Sequence, residues 1–213
     1  MPRRYPIALA TLAAVAAAPL PALAHHAMGG AVPTTVWQGL ASGIAHPVIG
    51  LDHLAFLLAA GVLAATFPRH GGLWALVAFL AAGLVGSLLH LAGLGIGPVE
   101  MVVALSVLLV GATLLAAPPR LTAAAPAWLI AAFAAAGLFH GHAYAEAVAG
   151  AGPRPVIAYL LTLAVVQAAF GLGAMAVARR FGTGMGGMTY QRRWAGMAAV
   201  AVGVVAVGAA VLA

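Results

Sequence analysis

The chain contains three acidic residues, Asp52, Glu100 and Glu146, and eight histidines. All three acids fall in or beside long apolar runs. An ionisable side chain in hydrocarbon costs about 2.5–3.5 kcal/mol at a helix centre on insertion scales, so each is a candidate for function. The histidines gather around the acids. His46 and His53 flank Asp52, His90 lies one short loop before Glu100, and His140 and His142 precede Glu146. Imidazole with carboxylate suits a divalent transition ion such as nickel, cobalt, zinc, iron or manganese, whereas copper(I) prefers sulfur. With no cysteine in the chain, disulfides, thiolate sites and thiol catalysis are excluded. The scattered Met28, Met101, Met175, Met185, Met188 and Met197 form no thioether stripe.

Spacing within the clusters sharpens this reading. His46 and His53 are seven residues apart, which on an unbroken helix sets them about 20° apart on one face. Pro47 and Gly50 oppose an unbroken helix and predict a bent segment instead. Irregular backbone at membrane depth is tolerated where it lines a cavity. Asp52 either orients an imidazole or ligates directly. His142 and Glu146, four apart, share a helix face, while His140 points toward a neighbouring helix. Gly137 and Gly141 allow another backbone to approach closely. Taken singly, His90 also reads as an interfacial anchor, Glu100 as an interfacial acid and His70 as a solvated loop residue. The alternative for the whole set is a proton relay or a helix-linking polar network.

The elements that must position these residues follow from composition. Of 213 residues, 65% are hydrophobic and 6% charged, against about 25% charged in soluble domains. The expected fold is an all-α membrane protein, a bundle of about six transmembrane helices after a cleavable signal peptide. Residues 1–24 read as the signal: Arg3 and Arg4, an alanine-rich stretch, then Ala22-Leu23-Ala24. Residues 25–213 form a single membrane domain with spans at about 51–67, 73–92, 97–117, 126–148, 156–178 and 194–212, each near the ~20 residues that cross hydrocarbon. Segment 35–50 reads as re-entrant or interfacial. The glycine run at 182–187 has no strand before it and reads as a flexible loop.

Orientation rests on the arginines. Loops one, three and five hold Arg69, Arg120, Arg179, Arg180, Arg192 and Arg193, while the opposite loops hold Arg154 alone. Six against one places the former in the cytoplasm and both mature termini in the periplasm, in a bacterial inner membrane. The histidine and acid clusters then occupy the outer half, and His25-His26 would begin the mature chain as a candidate metal-capturing terminus. The net charge of +6 comes from arginines spread between apolar runs, with no lysine. That is loop charge on a chain whose surroundings are the lipid bilayer, and no nucleic-acid partner is expected.

At these residues the chain resembles the HupE/UreJ family of nickel/cobalt secondary transporters. The resemblance is carried by His46-Pro47-x-x-Gly50-x-Asp52-His53, by Gly97-Pro98-Val99-Glu100 leading into Ala104-Leu105-Ser106-Val107, and by Phe139-His140-Gly141-His142-Ala143-x-x-Glu146. It covers essentially the whole chain. Ile49 stands where the family often has serine or threonine, and Ala143-Tyr144-Ala145 is less histidine-rich than in many members. The resemblance implies nickel or cobalt uptake without ATP. It also implies His46, Asp52 and His53 as core metal residues, His140, His142 and Glu146 as a second group, and a histidine near the mature amino terminus, which His25 or His26 would match.

The expectation is therefore a permease for divalent metal ions rather than an enzyme, with the ion as cargo and no prosthetic group, compatible with a homo-oligomer. Two alternatives stand beside it. One is an intramembrane metal-dependent hydrolase, although no H-E-x-x-H pair occurs. The other is a metal sensor or accessory membrane protein that binds without transporting.

Overall fold

The computed structural model describes residues 31–116, 126–182 and 186–212. The expected signal at 1–24, His25, His26 and Arg120 lie outside the described residues. Among the described residues every regular element is helical. In order they are α1 (Val36–Ile49), α2 (Leu51–Ala65), α3 (Arg69–Leu91), α4 (Val99–Ala116), α5 (Pro126–Ala145), a 3-10 turn (Glu146–Val148), α6 (Pro153–Phe181) and α7 (Gly187–Leu212).

Four of these, α3, α4, α6 and α7, are long and apolar enough to cross a membrane. The pair α1 and α2, bent by 74° at Gly50, forms a fifth candidate. The protein is accordingly a multi-pass membrane protein. Large side chains such as Leu84, Val85, Leu161, Val165, Val204 and Val211 face outward, the apolar girdle that lipid requires. Trp74, Trp128 and Trp194 are also exposed, at the end where α3 and α7 begin, as an aromatic belt would be.

The expected first span at 51–67 corresponds to only part of a crossing. At ~1.5 Å per residue α2 reaches ~22 Å, short of the ~30 Å hydrocarbon core. α1, the segment read as re-entrant or interfacial, precedes it, and the bent pair has the form of a broken span or a re-entrant loop. α1 starts on a capping box, in which Gln38 N–H donates to Thr35 Oγ1 (3.2 Å) and Thr35 N–H to Gln38 Oε1 (3.1 Å). It ends just past Pro47, where Gly50 takes an extended conformation. Successive contacts advance along α6: Gly39 meets Pro155, Gly43 meets Tyr159, and Gly61 meets Gly171. The two halves thus follow one partner helix in one direction. α5 is 20 residues long, and its polar His140 and His142 lower its apolar character. The last helix begins at Gly187, before the expected 194.

α2 is the hub and touches α3, α4, α6 and α7. Its Phe56, Leu57 and Leu63 join Leu76, Phe79, Val107, Leu114 and Phe133 in the main core. Around it, α3 packs along α5, α4 along α7 and α1 along α6. Glycines permit these approaches. A Cβ on Gly86 would strike the Leu138 carbonyl of α5, and one on Gly141 the Gly83 carbonyl of α3.

At the end opposite the histidines, Arg179 donates to the carbonyls of Ala64 (3.4 Å) and Phe67 (3.2 Å), and Arg192 to that of Leu114 (3.1 Å). Both arginines therefore cover helix C-termini, where a cation is favoured.

Gly86→Val is expected to destabilise the protein by about 1–3 kcal/mol, because the overpacked backbone must shift. Gly173→Ala meets open space and is expected to be neutral. Thermal unfolding of both variants in detergent checks the contrast, and equal losses would contradict close packing as the glycine's role.

Candidate metal-binding site

The bend between α1 and α2 positions the first motif. His46 lies in the last turn of α1 and His53 in the first turn of α2. A Cβ at Gly50 would come within 2.8 Å of the His53 ring, so the junction needs both a bend and the absence of a side chain. Asp52, half-buried, accepts the backbone N–H of His53 at Oδ1 (2.8 Å). It thereby satisfies one of the donors exposed at a helix start and offsets the dipole there.

Three histidines from three helices meet inside the bundle. His53 Nδ1 lies 2.8 Å from His140 Nδ1, and the His46 and His53 ring centroids are 5.9 Å apart. His46, His53 and His140 are each 3% exposed or less. Beyond His140, its Nε2 is 2.8 Å from Ser106 Oγ, whose hydroxyl donates to the Val103 carbonyl (2.7 Å). Beyond His46, its Nδ1 is 2.9 Å from the Tyr159 hydroxyl, which donates to the Tyr144 carbonyl (2.6 Å). Tyr144 stacks on His53 at 4.2 Å and meets His46 edge-on at 5.0 Å. Its buried hydroxyl lies against Gln167 without reaching hydrogen-bond geometry. Phe56 and Phe79 pack on His140.

A second group lines an open cleft of about 430 Å³: His90, Glu100, His142 and Glu146, with Pro98, Val99, Met101, Ala143 and Ala210. His90 Nδ1 is 3.2 Å from His142 Nδ1, and His142 Nε2 is 3.0 Å from the Leu94 carbonyl. Ser87 donates to the Gly141 carbonyl (2.7 Å) beside them. Glu100 sits in the first turn of α4 and Glu146 in the 3-10 turn, both exposed.

The arrangement therefore has two parts. His46, His53 and His140 come together inside, with Asp52 at the edge, and His90, Glu100, His142 and Glu146 surround the cleft. α5 supplies one histidine to each part, consistent with His140 and His142 pointing in different directions. His70, exposed at the start of α3, belongs to neither. Among the described residues no three His, Asp or Glu side chains converge closely enough to hold one ion together. Nitrogen donors and carboxylates of this kind can take a divalent cation from water, exchanging water oxygens for imidazole and carboxylate.

Sequence reasoning did not select Ser106, Tyr144 or Tyr159 as site residues. The signals available were a tyrosine four residues after His140 in the same apolar run, and a hydroxyl inside an otherwise apolar α4. Neither reveals a partner on another helix.

Tyr159→Phe removes the hydroxyl shared by His46 and the Tyr144 carbonyl. Loss of about 1–3 kcal/mol is expected from the buried groups deprived of that partner. Thr113→Val removes a hydroxyl that bonds to its own helix at Leu109 and is expected to cost little. Unfolding midpoints of the two variants decide the point.

Comparison with known proteins adds an independent line. The chain matches the family described as HupE / UreJ protein over residues 12–206. It is 30% identical over 186 residues to Protein HupE of Rhizobium leguminosarum bv. viciae, covering 83% of this chain and 91% of that protein. No solved structure matches the chain.

Proposed function

The chain belongs to the HupE/UreJ family, and we propose that it is a secondary, ATP-independent permease for divalent transition-metal ions, nickel or cobalt foremost, and not an enzyme. The observation that supports this is an open cleft bearing two histidines and two glutamates, with three further histidines buried together on neighbouring helices at the same end of a membrane bundle. In this reading the helices cross six times, α1 and α2 counting as one broken crossing. The protein resides in a bacterial inner membrane, its signal removed, with both mature termini periplasmic.

The cleft at His90, Glu100, His142 and Glu146 receives the hydrated ion, with His25 and His26 assisting capture. His46, Asp52, His53 and His140 take it deeper. A transport site must bind tightly enough to select and loosely enough to release. Imidazole and carboxylate meet both demands because protons compete for the same lone pairs.

Nickel uptake is expected in cells lacking their own nickel importers when this chain is expressed. His46→Ala and Asp52→Ala are expected to abolish it at equal membrane levels. If the wild type carries none of nickel, cobalt, zinc or iron, the permease reading fails. Metal binding in detergent without flux in proteoliposomes would instead support an accessory role.

Uptake is also expected to fall as external pH drops from about 7.5 to about 5.5, since imidazoles ordinarily protonate near 6.5 and a protonated ring has no lone pair for metal. A flat profile over that interval would count against proton competition at the ligands.

A further inference from the structure

Tyr144 links the buried histidines to a polar side chain deeper in the bundle. It lies in the last turn of α5, fully buried, and stacks on His53 at 4.2 Å. Its hydroxyl has no hydrogen-bond partner among the described residues and lies against Gln167 of α6, which is itself 5% exposed. Side chains tilt toward the start of their own helix. α5 starts at the arginine end and α6 at the histidine end, so Tyr144 leans inward, Gln167 leans outward, and the two meet.

Gln167 stands deeper than His53. α2 and α6 run in the same direction, and Gly61 of α2 meets Gly171. Gln167 precedes Gly171 by one turn and His53 precedes Gly61 by two, which sets Gln167 about one turn beyond His53 on the way to the arginine end. Beside it a narrow cavity of about 40 Å³ runs between α3 and α6 as far as Leu73, lined otherwise by apolar residues such as Phe79 and Leu80. That space has room for about one water, so this conformation is closed to a hydrated ion. A buried hydroxyl left without a partner is costly in such surroundings and calls for a reason beyond packing.

We propose that Gln167, together with the Tyr144 hydroxyl, is the next station of the divalent cation after the histidines and passes it into the inner half of the bundle. The assignment rests on the permease reading. Its chemistry suits an ion in transit. Carboxamide and phenol oxygens hold nickel or cobalt more weakly than imidazole does, and a transit point must release what it receives. Tyr144 spans the gap, with its ring on His53 and its hydroxyl at Gln167.

Gln167→Met is close in size and lacks the oxygen. In nickel uptake it is expected to lower the maximal rate about tenfold or more while half-saturation stays within about threefold, since capture occurs at the cleft. Its unfolding midpoint in detergent is expected within about 3 °C of wild type. A second variant reports access without relying on that fold. The chain has no cysteine, so Gln167→Cys carries a single thiol. With a cationic methanethiosulfonate it is expected to react at least about tenfold faster than Val165→Cys, whose side chain faces outward, and excess nickel is expected to slow it. Unchanged uptake in Gln167→Met, or a thiol at 167 no more reactive than one at 165, overturns the inference and leaves the permease reading intact. A wild type that carries no ion overturns the permease reading and this inference with it.

Discussion

Two imidazole nitrogens, Nδ1 of His53 and Nδ1 of His140, stand 2.8 Å apart, buried within an apolar bundle, and the surrounding architecture serves that contact. A buried polar group without a partner is costly in such surroundings, so α2 must begin at the depth where α5 carries His140. A continuous helix from Val36 to Ala65 would run ~45 Å and place His46 and His53 ~10 Å apart along its axis. The break at Gly50 avoids both outcomes. It brings the two ring centroids to 5.9 Å and turns α2 into the centre of the bundle.

The glycines of α3 and α5 extend the same requirement to the cleft. With carbonyls of one helix lying where side chains would otherwise stand on the other, the two backbones come close enough for Ser87 to bond the Gly141 carbonyl. His90 and His142 then meet from facing helices without either ring leaving its own last turn. In lipid, where apolar contact alone gives helices little reason to associate, such close packing and interhelical hydrogen bonds are the available cohesion. The site and the bundle are therefore held by the same contacts.

The sequence makes the residue types plain and their partners obscure. Acids and histidines in a chain this apolar declare themselves by cost alone, and Pro47 with Gly50 announces the bend. The arginines mark one end of the bundle, and the structure sets Arg179 and Arg192 there. The place of α1 is harder to read, because it is only moderately apolar and is set by its contact with α6. The pairing of His53 with His140 spans 87 positions, and no local period encodes it. Tyr144 and Tyr159 were legible as amphipathic side chains in apolar runs. Their place beside His46 depends on the packing of α1 on α6, which a single sequence does not reveal.

The distribution of charge follows from helix direction. α2 and α4 both begin at the histidine end, and the partial positive charge of a helix start would repel an approaching cation. Asp52 and Glu100 lie in the first turns of these same two helices and offset that charge there. At the other end the helices finish, while all three acids lie at the histidine end. Arg179 and Arg192 turn instead to the carbonyls that close α2 and α4. α2 is thus fixed at its start through His53 and at its finish through Arg179, with Phe56, Leu57 and Leu63 packed between. Asp52, Glu100 and the two capping arginines each meet a helix terminus of opposite sign.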